Sequence, residues 1–485
     1  MADLRAPVAG IAAGILLAAL LADDGGYYAR SWGWSGAVAA AAAALGSAWW
    51  RRAPQGRLEL LLVGGLAAFG LWALASAWWS RSPPSSIAEA QRAIVPVAVA
   101  LAVLVVFRRR DTSFLGAGVL GAVTFVSAAN LLHRATNEST RLLGVDASPV
   151  GYANAVGLLA ALGILLALDA ATRRGRWLVA LATLPVNALA LFLAESDGAV
   201  LALGAGLAVA AVAAGGRLRL AGLAACVAAL VVGVAAAGGH ERERYWPVAL
   251  GAAADHPVAG AGAGTFWQLW LEERDAPVDA RDAHGLYVET LGELGAVGLA
   301  LLLAALAAPL AAAWRGPRRP LLVGAYGAFV AHAGIDWDWE LAGVAATGVL
   351  LGSAVLIEAR TGEREPRRVW PWAAGAAALF LAACFTFVGA SALDRGAAAL
   401  REGDPVEAET RLRRAATLQP WAAEPWFLLA QARRATGGDS RAAALEGLER
   451  DPNDRRLWLE LAQSSAGAER ERALARARSL DPLGP

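Results

Sequence analysis

Residues 282–299 read DAHGLYVETLGELGAVGL. The stretch opens on Asp282 and His284, then becomes a long apolar helix with Glu289 and Glu293 one turn apart near its start. A polar segment ends here and a membrane-length helix begins. That junction decides the fold class, because the same alternation of long apolar blocks and short polar connections recurs along most of the chain.

The chain has 485 residues, 57% hydrophobic and 18% charged, with the apolar residues gathered in blocks, the pattern of a polytopic membrane protein. A net charge of +1 provides no basic field for nucleic acid, so a nucleic-acid partner is not expected. All 43 basic residues are arginine. Cys226 and Cys384 lie inside apolar blocks and read as small core residues. Residues 7–22 follow Arg5 and could pass for a signal peptide, but further apolar blocks follow directly. They read as a first membrane helix.

About 20 apolar residues cross a bilayer as a helix. Spans are expected near 7–22, 35–50, 58–79, 93–107, 112–132, 149–168, 177–194, 199–214, 220–237, 285–313, 321–334, 341–357 and 370–390, making an all-α bundle of about 12–13 transmembrane helices. Arginine orients it. The alternate connections 51–57, 108–111, 169–176, 215–219, 314–320 and 358–369 hold eighteen Arg in 43 positions. The others hold nine in 98. The positive-inside rule places the first set in the cytoplasm, and the 238–284 loop and the C-terminus outside. All five histidines (His133, His240, His256, His284, His332) fall in or near the outer set.

Residues 1–390 therefore form the membrane domain. Residues 391–485 change composition and read as three units of about 30 residues, ending at LQP 418–420, RDP 450–452 and LDP 480–482. They resemble tetratricopeptide repeats, which implies a small α-solenoid on the outer face and a surface for a protein partner.

Within the long loop, HPVAGAGAGTF places Gly260, Gly262 and Gly264 at alternate positions, suited to a tight turn and close backbone approach to a ligand. It lacks the strand and helix that flank a dinucleotide site. His284 is expected at headgroup depth, where a histidine can take a proton from a hydroxyl or simply cap a helix. Local features leave both readings open.

Four segments, in order, resemble the O-antigen ligase and polymerase family of bacterial membrane proteins: RLLGVDASPVGYANAVG (141–157), ESDGAVLAL (195–203), RYWPVALGAAADHPVAGAGAGTF (244–266) and AHGLYVETLGELGAVGL (283–299). IDWDWE (335–340) is similar to a segment some members carry. The resemblance covers about 55–360. It implies a GT-C-like, metal-independent transferase without cofactor. Such an enzyme moves a glycan from an undecaprenyl-diphosphate carrier to an acceptor hydroxyl on another lipid-linked glycan or lipid core, outside the cytoplasmic membrane. It also implies His284 as general base and Arg141 as the first diphosphate-binding cation, with Arg244 and Arg281 behind it. Tyr152, Asn154 and Glu289 are the implied substrate contacts. Arginine suits phosphate because its planar fork binds two oxygens and never loses its charge. Arg141, Arg244, Arg281 and His284 are expected to line one cavity opening sideways to lipid. One position departs: Ser196-Asp197-Gly198 stands where the family commonly has Ser-Arg-Gly. Asp336 and Asp338 form a D-x-D, too thin alone for a metal site. A lipid-linked glycan transporter and a non-catalytic assembly scaffold are the competing readings. A transporter calls for internal repeats and midplane charges, which the sequence does not display.

Overall fold

The computed structural model describes residues 5–136, 149–237, 242–314, 319–362 and 368–484, and among these there is no strand. The helices are α1 (Arg5–Leu21), α2 (Ala29–Trp50), α3 (Arg57–Ser76), α4 (Pro83–Arg92), α5 (Ile94–Val106), α6 (Thr112–Thr136), α7 (Ala153–Ala171), α8 (Trp177–Ala194), α9 (Asp197–Ala214) and α10 (Arg217–Ala237). The loop carries α11 (Arg242–Asp255) and α12 (Phe266–Glu273). Then come α13 (Leu286–Ala313), α14 (Pro320–Ala333), α15 (Ala342–Glu358) and α16 (Trp370–Arg401). The tail is α17 (Pro405–Leu418), α18 (Glu424–Thr436), α19 (Ser440–Arg450), α20 (Arg455–Gln463) and α21 (Gly467–Leu480).

A helix stands at each expected span. Among the described residues, eight helices are long and apolar enough to cross a membrane, and α1, α14 and α15 are shorter apolar helices. Their interiors are rich in Ala and Gly, which lets backbones approach closely. At the crossing of α1 and α6, a Cβ on Gly118 would stand 2.1 Å from the Gly10 carbonyl oxygen. The most enclosed helices are α7, which packs on α6, α8, α9 and α14, and α15, which packs on α5, α13 and α14.

At the arginine-rich end, several arginines are staples rather than free charges. Arg360 pairs with Glu59 at 2.7 Å and donates to the Leu104 and Phe107 carbonyls at the end of α5. Arg52 donates to the Val105 and Val106 carbonyls. Arg319 pairs with Asp169 at 2.6 Å. A helix C-terminus leaves carbonyls without partners, and a guanidinium satisfies several at once.

Two features differ from the sequence expectation. The helix from 285 to 313 is not one straight rod: Gly295 (φ 64°, ψ −167°) breaks it, a conformation only glycine adopts freely. And α16 runs unbroken for 32 residues through position 390, so the last span and the first tail helix are one element. From there α16 to α21 pack each on the next, with α18 also against α16 and α20, giving a stacked array of helix pairs.

Candidate functional site

The Gly295 break frees backbone groups within an apolar helix, where each unpaired group is costly. The glycine loop satisfies them. Ala261 and Gly262 donate to the Gly292 and Glu293 carbonyls (3.0 and 2.8 Å), and Ala296 and Val297 donate to the Pro257 and Val258 carbonyls (2.9 and 3.3 Å). The Trp72 indole takes the Leu294 carbonyl at 3.1 Å. Close approach explains the glycines, because a Cβ on Gly260 would lie 2.2 Å from the Glu293 carbonyl carbon. The partner of HPVAGAGAGTF is thus the broken helix itself. The Glu293 carboxylate then accepts from the Gly264 and Phe266 amides, both at 2.8 Å, and anchors the start of α12.

One turn earlier, Glu289 accepts from the Ala283 amide at 2.7 Å and fixes the Asp282–Gly285 turn. His284 sits at φ 54°, in the left-handed region that a β-carbon disfavours. Its Nδ1 is 3.1 Å from the Asp282 carbonyl oxygen, and its ring lies 5.2 Å from Tyr245, which packs edge-on against Trp270. Trp270, Phe266 and Tyr245 form the buried core of the loop domain.

Beside this turn opens a cavity of about 730 Å³. Tyr27, Tyr28 and Trp32 wall it on one side, Glu89 and Arg92 of α4 on another, and Gly264 and Trp267 on a third. Arg281, Asp282, Glu289 and Glu293 come from the junction, Glu340 from the turn before α15, and Arg455, Arg456 and Asp481 from the tail. Its floor is acidic. Arg92 bridges Glu89 and Glu340, the latter at 2.9 Å. Burial, and then the neighbouring Glu340, hold the Asp282 carboxyl well above the usual carboxylate range. Carboxylate oxygens of Asp282, Glu289 and Glu340 lie within 4.8 Å of one another. Among the described residues they are the one group close enough to hold a metal, but Glu340 is already paired with Arg92. At the mouth, Arg281 donates to the Tyr27 hydroxyl at 3.0 Å.

A second polar cluster adjoins. Asn154 Nδ2 donates to Asp336 Oδ2 at 2.7 Å and to the Tyr152 hydroxyl at 2.8 Å. Tyr152 stacks on Trp337 at 4.6 Å, and Trp337 meets Tyr27 edge-on at 6.1 Å, joining this cluster to the cavity wall. Asp338 is committed elsewhere, to His332 at 3.3 Å, so the two carboxylates of the D-x-D serve different partners. Asp197 is exposed in the first turn of α9, where an acid complements the helix dipole, behind the Ser196 cap.

Of the expected site residues, Arg281 and Glu289 line the cavity, with Asp282 between them. His284 adjoins it but faces Tyr245. Tyr152 and Asn154 form the neighbouring cluster. Arg244 is half exposed, 3.9 Å from the exposed Asp275, and does not line the cavity. Arg141 lies outside the described residues. Sequence reasoning missed Tyr27, Glu89, Arg92, Glu293 and Glu340. Their signal was ionisable and aromatic residues just outside apolar spans, with Glu89 and Arg92 three apart on one helix face.

A further cavity of about 800 Å³ is almost wholly apolar. Its walls are α1 (Ala9 to Leu20) and α2 (Trp34 to Trp50), and α5 and α15 floor it. No protein-family model matches the chain, and no curated protein matches it.

Proposed function

We propose that the chain is a membrane glycosyltransferase that moves a glycan from a polyprenyl-diphosphate carrier to an acceptor hydroxyl, as the resemblance to O-antigen ligases and polymerases implies. The observation that carries this reading is the arrangement along α2. Its first turn, at Trp32, lines the polar cavity, and the next residues, from Trp34 to Trp50, line the apolar groove. Those seventeen residues rise about 25 Å at 1.5 Å each, close to the thickness of a bilayer core. A polar chamber at the start of α2 and an apolar groove along the rest of it suit a ligand with a polar head and a long hydrocarbon tail. Carboxylates on the chamber floor accept hydrogen bonds from sugar hydroxyls, and arginines at its mouth suit phosphate.

In this reading the acceptor oxygen attacks the anomeric carbon, and the bond from that carbon to the diphosphate oxygen breaks. The acceptor proton passes to a base of the protein. The carrier leaves as its diphosphate anion, stabilised by fixed cations. His284 is the base, on the family's motif. A second reading makes Glu289 the base, favoured by its place on the cavity wall. The bundle is GT-C-like with 12–13 spans in the bacterial cytoplasmic membrane, and the cavity and the tetratricopeptide-like array lie outside.

The test is transfer from a lipid-linked glycan by the full chain in proteoliposomes. His284→Asn is the informative variant, because asparagine tolerates a positive φ and keeps the turn. Transfer is expected to fall at least a hundredfold. Full activity in His284→Asn with loss in Glu289→Gln selects the second reading, and no transfer by the wild type sinks both.

A further inference from the structure

The loop helix α11 is apolar on both sides. From Tyr245 to Ala254 it carries no charged side chain. Tyr245, Val248, Ala249, Ala252 and Ala253 are buried. They face α13, where a Cβ on Gly292 would stand 2.6 Å from the Ala249 carbonyl oxygen. The opposite side shows Pro247, Leu250, Gly251 and Ala254, and beyond the helix Pro257 and Val258, all exposed. Leu250 is 47% and Val258 63% exposed. Among the described residues, nothing lies within 4 Å of a Cβ on Gly251. A helix that faces water carries polar residues on its outer side, whereas one that is apolar all round has apolar surroundings.

Contacts with α3 and α13 fix the height of this surface. The two helices are antiparallel, with Gly65 against Ala305 and the Trp72 indole on the Leu294 carbonyl. The Pro257 and Val258 carbonyls accept from Ala296 and Val297, just past Leu294. Val258 therefore lies at the level of the last turn of α3, within a span. Further along, the Arg81 amide donates to the Ala261 carbonyl at 3.4 Å, and Ser80 packs on Gly262. Between these two levels stand Trp78, 89% exposed, and Trp79. Tryptophans in such a place mark the boundary between acyl chains and water. The chain crosses that boundary between 258 and 262. At this depth a carbonyl outside a helix must find its partner within the protein. Those of Pro257 and Val258 find it in α13, and Pro257 brings no amide to satisfy.

We propose that Pro247, Leu250, Ala254, Pro257 and Val258 form a lipid-binding face, on which α11 and the turn after it rest between the headgroups and acyl chains of the bilayer. The face continues at the level of the α3 span, whose Leu71 and Leu74 are exposed in the same way. The loop is then an element seated in the membrane surface rather than a domain standing free in water. The other side of α11 holds Tyr245 5.2 Å from His284, so the same helix sets the height of the junction against the bilayer. The inference stands on α3, α11 and α13 and is independent of the transferase reading.

The test uses the full chain in phospholipid nanodiscs. With Cys226→Ala and Cys384→Ala as background, a nitroxide is attached at Leu250→Cys, at Val258→Cys and, as reference, at Glu243→Cys, exposed at the start of α11. Collisions with oxygen, which concentrates in lipid, are compared with collisions with a water-soluble nickel chelate. The oxygen-to-nickel ratio at 250 and 258 is expected to exceed that at 243 at least fivefold. A ratio equal to the reference means that the face meets water and overturns the proposal. Low collision rates with both reagents mean that protein covers the face, as a second copy would, and overturn it as well. The unsubstituted chain provides a second reading that no substitution can disturb. A phospholipid with a diazirine high on its acyl chain is expected to leave adducts on residues 247–258, and labelling of the spans without adducts there overturns the proposal.

Discussion

Glu293 shows how one side chain changes meaning between sequence and structure. In the sequence it is an acid one turn after Glu289, suited to an interface with headgroups. In the structure its two oxygens each take a backbone amide of the neighbouring loop. Glu293→Gln keeps the shape and leaves one amide without an acceptor. It is expected to cost about 1–3 kcal/mol in denaturant unfolding of the purified protein. Asp451 offers a pH test. Burial above all raises its carboxyl to about 6, while Ser82 pulls the other way. A raised carboxyl favours the folded state while protonated. Its contribution is therefore fully present below the unfolded value near 4 and lost as pH rises through about 6. Asp451→Asn removes that loss. Relative to wild type it should gain on the order of 2 kcal/mol between pH 4 and pH 7. An equal difference at both pH values would show that Asp451 does not titrate in this range.

Among the elements, α13 is where the sequence pattern was least informative. Apolar periodicity continues straight through Gly295, because a broken membrane helix must stay as apolar as a straight one. Nothing local announces that Gly260, Gly262 and Gly264 exist to meet the break, since that pairing joins residues more than thirty positions apart. Gly295→Ala tests it. The new Cβ would stand 2.4 Å from the Val258 carbonyl carbon, at a φ that alanine resists. Expected are a loss of about 1–3 kcal/mol and faster hydrogen exchange confined first to 257–266 and 292–297. Exchange spread evenly over the bundle would mean that the two segments are not one structural unit. The expected helices themselves were legible, because burying backbone in lipid leaves a long apolar run no other regular structure.

For the whole molecule, composition marks a change near position 390, yet α16 crosses it as one helix and the tail folds back onto the loop. Arg274 and Asp481 are the tie, both almost fully buried. Removing one partner of a buried ion pair costs about 3–5 kcal/mol when the other charge is left stranded. Asp481 keeps Arg455 at 3.4 Å, so Arg274→Gln is expected to destabilise the full chain by less, about 1–3 kcal/mol, and to raise hydrogen exchange across 451–484. If exchange there matches the wild type, the array is held by other contacts. Truncation after Arg401 should leave the bundle folded with α12 loosened, which proteolysis at 266–281 would reveal.

By itself the sequence determined the class of fold and the helix positions. Those properties follow from hydrophobic period and length, both of which are local. It also marked Arg281, Glu289, Tyr152 and Asn154 as residues of interest. Only the tertiary structure decided what stands beside them. The cavity is built from the start of α2, from α4, from the broken α13, from the turn before α15 and from the last tail unit. Its charge pattern is a sum over residues from Tyr27 to Asp481. Electrostatics and burial depend on distance in space, and no spacing along the chain encodes that Arg456 and Arg281 line one cavity. The opening stretch, DAHGLYVETLGELGAVGL, is thus both the end of a loop and the hinge of a broken helix. The first role can be read from its residues, and the second only from the loop that fills the break.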